Sequence, residues 1–293
     1  MTKASSKASH KLDSLAGSIA AFEGINDAHT LLVGPLSCKS YLTHTVDLQD
    51  PVIYSTDSST CLPNFPFGDL RIPCTYVDEQ DFIYGTEQKV LATLKKLKDY
   101  PCQLFGIINH SGTSLIGEDL NRIIRDAKLT QKTTIIDGTG FTGTYAQGFK
   151  QATIKILKSI VKDNVEKIPT SVNIIGPTIF HYNWENDVAE LKRIFNILGI
   201  KINAVICANQ PLRNLENICQ AELNVITQEE YGDEIALFLE KEFGLPYCGL
   251  KGFAPFGLAS SESWFSEIAN WFKLPCDLID LESKRVRKKC YPV

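Results

Sequence analysis

Apolar and polar positions alternate along this chain in two rhythms. Short continuous apolar runs, such as Thr30-Leu31-Leu32-Val33, are the pattern of strands buried on both faces. Between them lie longer stretches in which apolar residues recur every three to four positions, as with Phe149, Ala152, Ile156 and Val161, the pattern of a helix with one buried face. In the first half these rhythms predict strands over His29–Val33, Val52–Ser55, Leu104–Asn109 and Thr133–Asp137, and helices over Gln88–Lys98, Glu118–Lys128 and Thr144–Val161. The stretch Val165–Thr170, which contains Pro169, reads as a linker, and the theme then repeats. Strands are predicted over Ser171–Ile175, Ile202–Cys207, Leu223–Thr227 and Leu245–Leu250. Helices are predicted over Asn186–Leu198, Tyr231–Phe243 with Gly244 as its cap, and Ser261–Phe272.

Strands that alternate with helices imply parallel sheets covered on both faces. The chain is therefore expected to be α/β, with two Rossmann-like three-layer domains over residues 1–168 and 169–293. Its 293 residues suffice for two cores, since single cores stop growing near ~250–300 residues.

The formal charge of −4 gives no global attraction to nucleic acid or to an anionic membrane. No run of ~18 apolar residues occurs and the N-terminus is polar and basic, so a cytoplasmic protein is expected. The nine cysteines are odd in number and never spaced as C-x-x-C, which argues against a disulfide framework and a zinc ribbon. Cys102, Cys207, Cys219 and Cys248 read as small buried hydrophobes. Cys38 differs: it follows a Gly-Pro turn after an apolar strand, which places a thiol at the carboxyl edge of a parallel sheet, where ligands bind in such folds. Cys61 and Cys74 are separated by a proline-rich loop and show no evident convergence on Cys38.

Gly138-Thr139-Gly140-Phe141-Thr142-Gly143 fits G-x-G-x-x-G between a strand and a helix. The next strand, however, ends in Gly176-Pro177 with no acid for a ribose hydroxyl, so the glycines are read as letting the loop approach a neighbouring backbone or a bound group. There is no G-x-x-x-x-G-K-[ST], H-E-x-x-H or G-x-S-x-G. Ser40, His44 and Asp47 form no triad at helical spacing. His110 is read as an edge histidine satisfied by backbone, and Lys284–Lys289 as a solvated helix end.

Several segments in order carry a family resemblance. Gly34-Pro35-Leu36-Ser37-Cys38 is similar to an H-G-P-x-G-C loop, and Asp81 to Val90 to D-x-x-x-G-G-x-x-x-L. Leu115-Ile116-Gly117-Glu118-Asp119-Leu120 is similar to L-I-G-D-D-I, and Gly140-Phe141-Thr142-Gly143 to a G-F-x-G turn. Glu190 to Arg193 with Leu198 to Ile200, and Phe243 to Pro246 with Pro255 to Leu258, resemble signatures of a second domain. From about Ser14 to Asp280 the chain resembles the component 1 subunits of nitrogenase and its relatives, which include protochlorophyllide and chlorophyllide reductases and cofactor-assembly scaffolds.

That resemblance implies a bridging iron–sulfur cluster, of 4Fe-4S type, held by three cysteines in fully ligated subunits. Only the central one, Cys38, is present; the upstream position falls near Asp13 or Ser14 and the downstream one at Ser111. The chain is accordingly expected to be β-like, with Cys38 and the Asp13 carboxylate as iron ligands and Gly112, Gly140 and Gly143 close to the cluster, their N–H groups turned to its sulfurs. The remaining ligands would come from a homologous α-type subunit, or from a homodimer pooling two copies of Cys38 and Asp13. Electrons would arrive from a separate ATP-dependent iron–sulfur reductase. Gln228 stands where nitrogenase α-subunits hold their active-site cofactor by a cysteine, so that cofactor is not expected here. Family members usually carry a third α/β domain, which would begin where this sequence stops. The competing expectation is a non-catalytic scaffold or assembly partner for iron–sulfur cofactors, and a third is a small-molecule-binding module using the interdomain cleft.

Overall fold

The computed structural model describes residues 12–40, 42, 72–140, 143–249 and 255–290. The expected strand Val52–Ser55 and Cys61 lie outside them. Two parallel sheets organise the chain. The first has order β1-β2-β3, from Ala28–Val33, Leu104–His110 and Lys132–Thr139. Its register aligns Leu31 with Ile107 and Ile107 with Ile135. The second has order β5-β4-β6-β7, with β4 Ser171–Ile175 and β6 Leu223–Ile226 at its centre, β5 Lys201–Val205 on one edge and the short β7 Tyr247–Cys248 on the other. The two-residue β7 replaces the longer strand predicted from Leu245.

Side chains alternate across each sheet because the strand period is two. On one face of the first sheet, Leu31, Val33, Phe105 and Ile107 pack under the helices Glu87–Leu97 and Leu120–Ala127, with Val90, Leu94 and Ile123 buried against them. On the other face, Leu32 and Ile108 meet Phe149, Ala152 and Ile156 of the long helix Tyr145–Ile160. That cluster continues into the second unit through Ile175, Ala204 and Ile226, and through Ile235, Ala236 and Leu239 of the helix Glu229–Phe243. The outer face of the second sheet, Val172, Ile174 and Val225, is closed by Phe195 of Trp184–Ile197 and by Trp264 and Phe265 of Leu258–Trp271. Trp264 also donates its indole N–H to Ile226 O at 2.9 Å. Among the described residues no helix is long and apolar enough to cross a membrane.

Two elements carry no amphipathic stripe and escape a periodicity reading. The helix Ser14–Glu23 is buried at every position but its last, so its sequence is apolar or small all round. It lies against Tyr145–Ile160 at a crossing only glycine allows: a Cβ on Gly17 would stand 1.9 Å from Tyr145 O, and one on Gly148 2.0 Å from Ser14 O. The short helix Glu79–Tyr84 is set by an Asp78/Asp81 capping box rather than by an apolar face.

Candidate functional site

The carboxyl ends of β1, β2 and β3 form one edge, and the chain places most of its unusual polar residues there. β1 ends at Val33 and turns through Gly34-Pro35 into a helical turn over 36–40 that carries Cys38. The Cys38 N–H donates to Pro35 O at 3.2 Å. The segment from Pro73 to Val77 runs alongside as an extra, irregular edge: Leu32 N donates to Pro73 O at 2.9 Å, Thr75 N to Leu32 O at 3.1 Å and Val77 N to Gly34 O at 3.1 Å. Cys74 pairs with Leu32 in a parallel bridge, and its Sγ donates to Gly34 O at 3.1 Å. The sequence showed no convergence of Cys74 on Cys38; backbone pairing of Pro73 to Val77 with β1 and Gly34 brings Cys74 to the turn that precedes Cys38.

At the end of β2, the Asn109 amide donates to Asp137 Oδ1 at 2.7 Å, while Thr113 Oγ1 donates to Asn109 Oδ1 at 2.6 Å and lies 2.9 Å from Val33 O. This ties the three strand ends together. His110 accepts the Gly112 N–H at Nδ1, 3.1 Å away, as expected of an edge histidine satisfied by backbone. Burial lowers its pKa and the Asp13 charge partly restores it. Ser111 Oγ is buried and has no hydrogen-bond partner among the described residues, an uncommon condition for a polar atom in a protein interior.

Asp13 approaches the edge from the other side. Its carboxylate is the N-cap of Ser14–Glu23: Oδ1 accepts from Leu15 N at 3.1 Å and Ala16 N at 3.2 Å. The residue expected as an iron ligand thus has a structural task that an N-cap reading of Asp13 before Ser14-Leu15-Ala16 would have signalled. The two roles separate by mutation. Asp13→Ala is expected to cost about 0.5–2 kcal/mol of stability, whereas Asp13→Asn, which caps as well, leaves the melting curve in place while removing the charge. Thermal unfolding of both variants checks this; equal losses would show that the carboxylate itself, not the cap, stabilises the helix.

The three glycines expected at the cluster are at this edge, with their space already assigned. A Cβ on Gly140 would stand 2.9 Å from His110 Nε2, and one on Gly112 3.3 Å from His110 Nδ1. The Gly140 N–H donates to Ser14 Oγ at 3.1 Å and the Gly112 N–H to His110, so these two amides serve protein acceptors rather than pointing at a ligand. Gly143 has φ +88 and packs beside Ser14 and Gln147. Immediately after it, Thr144 and Gln147 form a capping box on the long helix, which closes the N-terminus that a dinucleotide phosphate would need.

Electrostatics join these parts. Burial pushes the Cys38 thiol pKa up, a Ser37 hydrogen bond lowers it, and the Cys74 and Asp13 charges raise it further. Among the described residues no three His, Cys, Asp or Glu side chains close around a single metal ion. The half-buried Cys38 thiol on this edge is a sulfur donor of the kind an iron–sulfur group takes, for which sulfur and oxygen are both competent donors.

A separate apolar cavity of about 250 Å³ lies at the carboxyl end of the second sheet, lined by Trp184, Leu191, Phe256, Phe265 and Gln228 among others.

Two parallel α/β units, the first with a cysteine on its carboxyl edge, define an α/β class of fold, and comparison with known proteins places it. Residues 14–290 match the family model Nitrogenase component 1 type Oxidoreductase, and the chain belongs to that family. It is 30% identical over 211 residues to one of the subunits of the light-independent protochlorophyllide reductase of Staurastrum punctulatum, covering 67% of this chain and 40% of that protein. The equivalent protein of Stigeoclonium helveticum is 29% identical over 212 residues, 68% of this chain and 41% of the relative. The chain thus spans about two fifths of the length of these curated relatives. A solved structure titled nitrogenase Cp1 at pH 6.5 superposes with a TM-score of 0.77 at 18% identity, over 98% of this chain and 55% of the other. That likeness supports the α/β fold with parallel sheets.

Proposed function

We propose that this chain, an oxidoreductase-family subunit, is the β-like half of a nitrogenase-like complex. In this reading it shares an iron–sulfur cluster with a homologous α-type subunit and receives electrons from an ATP-dependent iron–sulfur reductase. What supports the reading is that Cys38 lies on the sheet edge after β1 with the Asp13 carboxylate close enough to raise its pKa, while Ser111 follows β2 on the same edge with a buried hydroxyl that has no partner among the described residues. When bound, the cluster supplies one-electron storage at the subunit interface.

The chain's own residues prepare for it. Cys38 holds its proton above the ordinary thiol range, so it remains a neutral thiol until a metal displaces that proton. Ser111 offers a desolvated oxygen at the end of β2 on the same edge. Around the edge, Leu36, Tyr76, Phe82, Ile83, Tyr84 and Leu115 are exposed large apolar residues, with Leu115 at 89%. Phe82 lies against Gly112, and Lys39 lies 5.8 Å from the centre of the Tyr76 ring. Apolar side chains gathered around a polar edge mark a surface for another protein.

A single chain does not supply the about four protein ligands such a cluster needs. Purified alone without oxygen, the protein is expected to be colourless or substoichiometric in iron, and to turn brown on co-expression with a three-cysteine partner subunit. Iron and acid-labile sulfide determination reads the outcome. A monomer that carries a full cluster overturns the shared-ligand reading.

A further inference from the structure

The cavity at the carboxyl end of the second sheet holds a charge that the cluster edge does not use. The helix Trp184–Ile197 lends it Trp184, Asp187, Leu191 and Ile194, whose spacing of three, four and three residues keeps them on one helix face. A carboxylate thus interrupts an otherwise apolar stripe. More apolar wall comes from Phe256, from Phe265 of Leu258–Trp271 and from Ile279 of the helix Asp277–Cys290. We propose that this cavity is a binding site for a small amine with an apolar body, its ammonium group held by the Asp187 carboxylate and its body against Trp184, Phe256 and Phe265. The site is independent of whether a cluster binds at the Cys38 edge.

The charges around the cavity select the sign of the ligand. Three other acids line it, and each is already neutralised. Glu190 pairs with Arg193 at 2.7 Å, Glu262 with Arg287 at 3.0 Å, and Glu282 with both Arg193 and Arg285. The Asp187 carboxylate has no ion-pair or hydrogen-bond partner among the described residues, and burial raises its pKa. A charge set into apolar surroundings without a partner is costly, and an ammonium group relieves that cost. His181, also in the lining, adds no positive charge to compete. Its Nδ1 accepts the Thr178 N–H at 3.4 Å, and burial pushes its pKa down to about 4, so the ring is neutral near pH 7. The aromatic walls attract a cation through their faces. Gln228, which follows the central strand β6, offers a side-chain amide with no partner among the described residues. An anion would be repelled by Asp187, and a neutral body would gain the apolar wall but leave the carboxylate unpaired. An apolar cavity with a few polar groups, at the carboxyl end of a parallel sheet, is the usual form of a small-molecule site.

The test titrates the whole chain calorimetrically with three probes of one shape: naphthylmethylamine, the neutral naphthylmethanol and naphthoate. The amine is expected to bind about tenfold or more tightly than the alcohol, the difference a charge-assisted hydrogen bond makes, and naphthoate is expected not to bind. Asp187→Asn, close to isosteric, should bring the amine down to the affinity of the alcohol and leave the alcohol unchanged. Phe256→Ala should weaken both, and because Phe256 is 64% exposed its loss costs the fold little. Equal affinities for amine and alcohol, or an amine affinity indifferent to Asp187→Asn, overturn the ammonium site. A preference for naphthoate overturns it as well. No binding of any probe at millimolar concentration means that the cavity serves another occupant, such as a protein side chain, and overturns the proposal altogether. Thermal unfolding is the folding control, and the comparison of the three probes on the wild-type chain decides the question even where a variant does not fold.

Discussion

Gly17→Ala is expected to cost the fold about 3 kcal/mol, the upper end of what overpacking typically costs, and Gly148→Ala about as much. Alanine would ordinarily improve a helix interior by ~1 kcal/mol over glycine. Here the sign reverses, because the added methyl meets backbone. The Gly17 Cβ would stand 1.9 Å from Tyr145 O and 2.7 Å from Phe149 N, and the Gly148 Cβ 2.0 Å from Ser14 O. No rotamer change relieves contact with a carbonyl, so the two helices must separate, and with them Leu15, Ile19, Phe149 and Ala152, all fully or nearly fully buried. Gly199→Ala is the control: φ is +70 there, but nothing stands within 4 Å of the added carbon. It is expected to cost only the left-handed backbone penalty of roughly 1 kcal/mol. Denaturant unfolding of the three variants checks the ranking. A Gly17→Ala protein as stable as wild type would mean that the helix pair is not packed as closely as these distances require.

The same crossing explains which parts of the chain were legible from sequence. Strands β1, β2, β4 and β6 are buried on both faces, and a continuous apolar run announces them directly. Helices with one wet face, such as Tyr145–Ile160 and Glu229–Phe243, announce themselves by period. Ser14–Glu23 has no wet face, so its glycines and alanines read as featureless, and Asp13 then reads as a ligand rather than as the cap of a helix. The segments that carry the family resemblance have a local physical meaning too. Glu118, in the Leu115-to-Leu120 motif, accepts Thr86 N at 2.7 Å and Glu87 N at 3.1 Å, capping the helix Glu87–Leu97. Gly85, in the other motif, has φ +96, a backbone that favours glycine, and a Cβ there would displace the capping Glu118 Oε1, 2.7 Å away. The two motifs therefore brace one another, and the helix expected from Glu118 starts at Leu120, with Asp119 as its N-cap.

At the candidate site the sequence located Cys38, because a thiol after a buried strand and a Gly-Pro turn has only one place to be in a parallel sheet. It did not locate Cys74. That pairing is non-local, between residues more than thirty positions apart, and only the backbone ladder from Pro73 to Val77 reveals it. Nor does any sequence pattern announce that Ser111 Oγ has no partner among the described residues, since satisfaction of a hydroxyl depends on tertiary neighbours.

Replacing the central thiol is the largest functional effect expected. Cys38→Ala, in co-expressed complex, should remove most of the bound iron while leaving the fold intact. The two halves of that expectation have separate physical grounds. Cys38 is only half-buried, at the rim of the main core, so deletion of its sulfur removes little buried apolar area. Its backbone N–H bond to Pro35 O is independent of the side chain. The cluster, by contrast, loses a ligand that neither Asp13, held by two amides of its own helix, nor Ser111, with a weaker neutral oxygen donor, replaces as a thiolate. Iron determination alongside thermal unfolding separates the two effects. A wild-type melting curve with iron reduced to a small fraction is the expected result, and full iron at equal purity would remove Cys38 from the ligand set. An unfolded Cys38→Ala protein would mean that the turn itself depends on the sulfur, in which case Cys38→Ser, which preserves the volume, must show the iron loss for the assignment to stand.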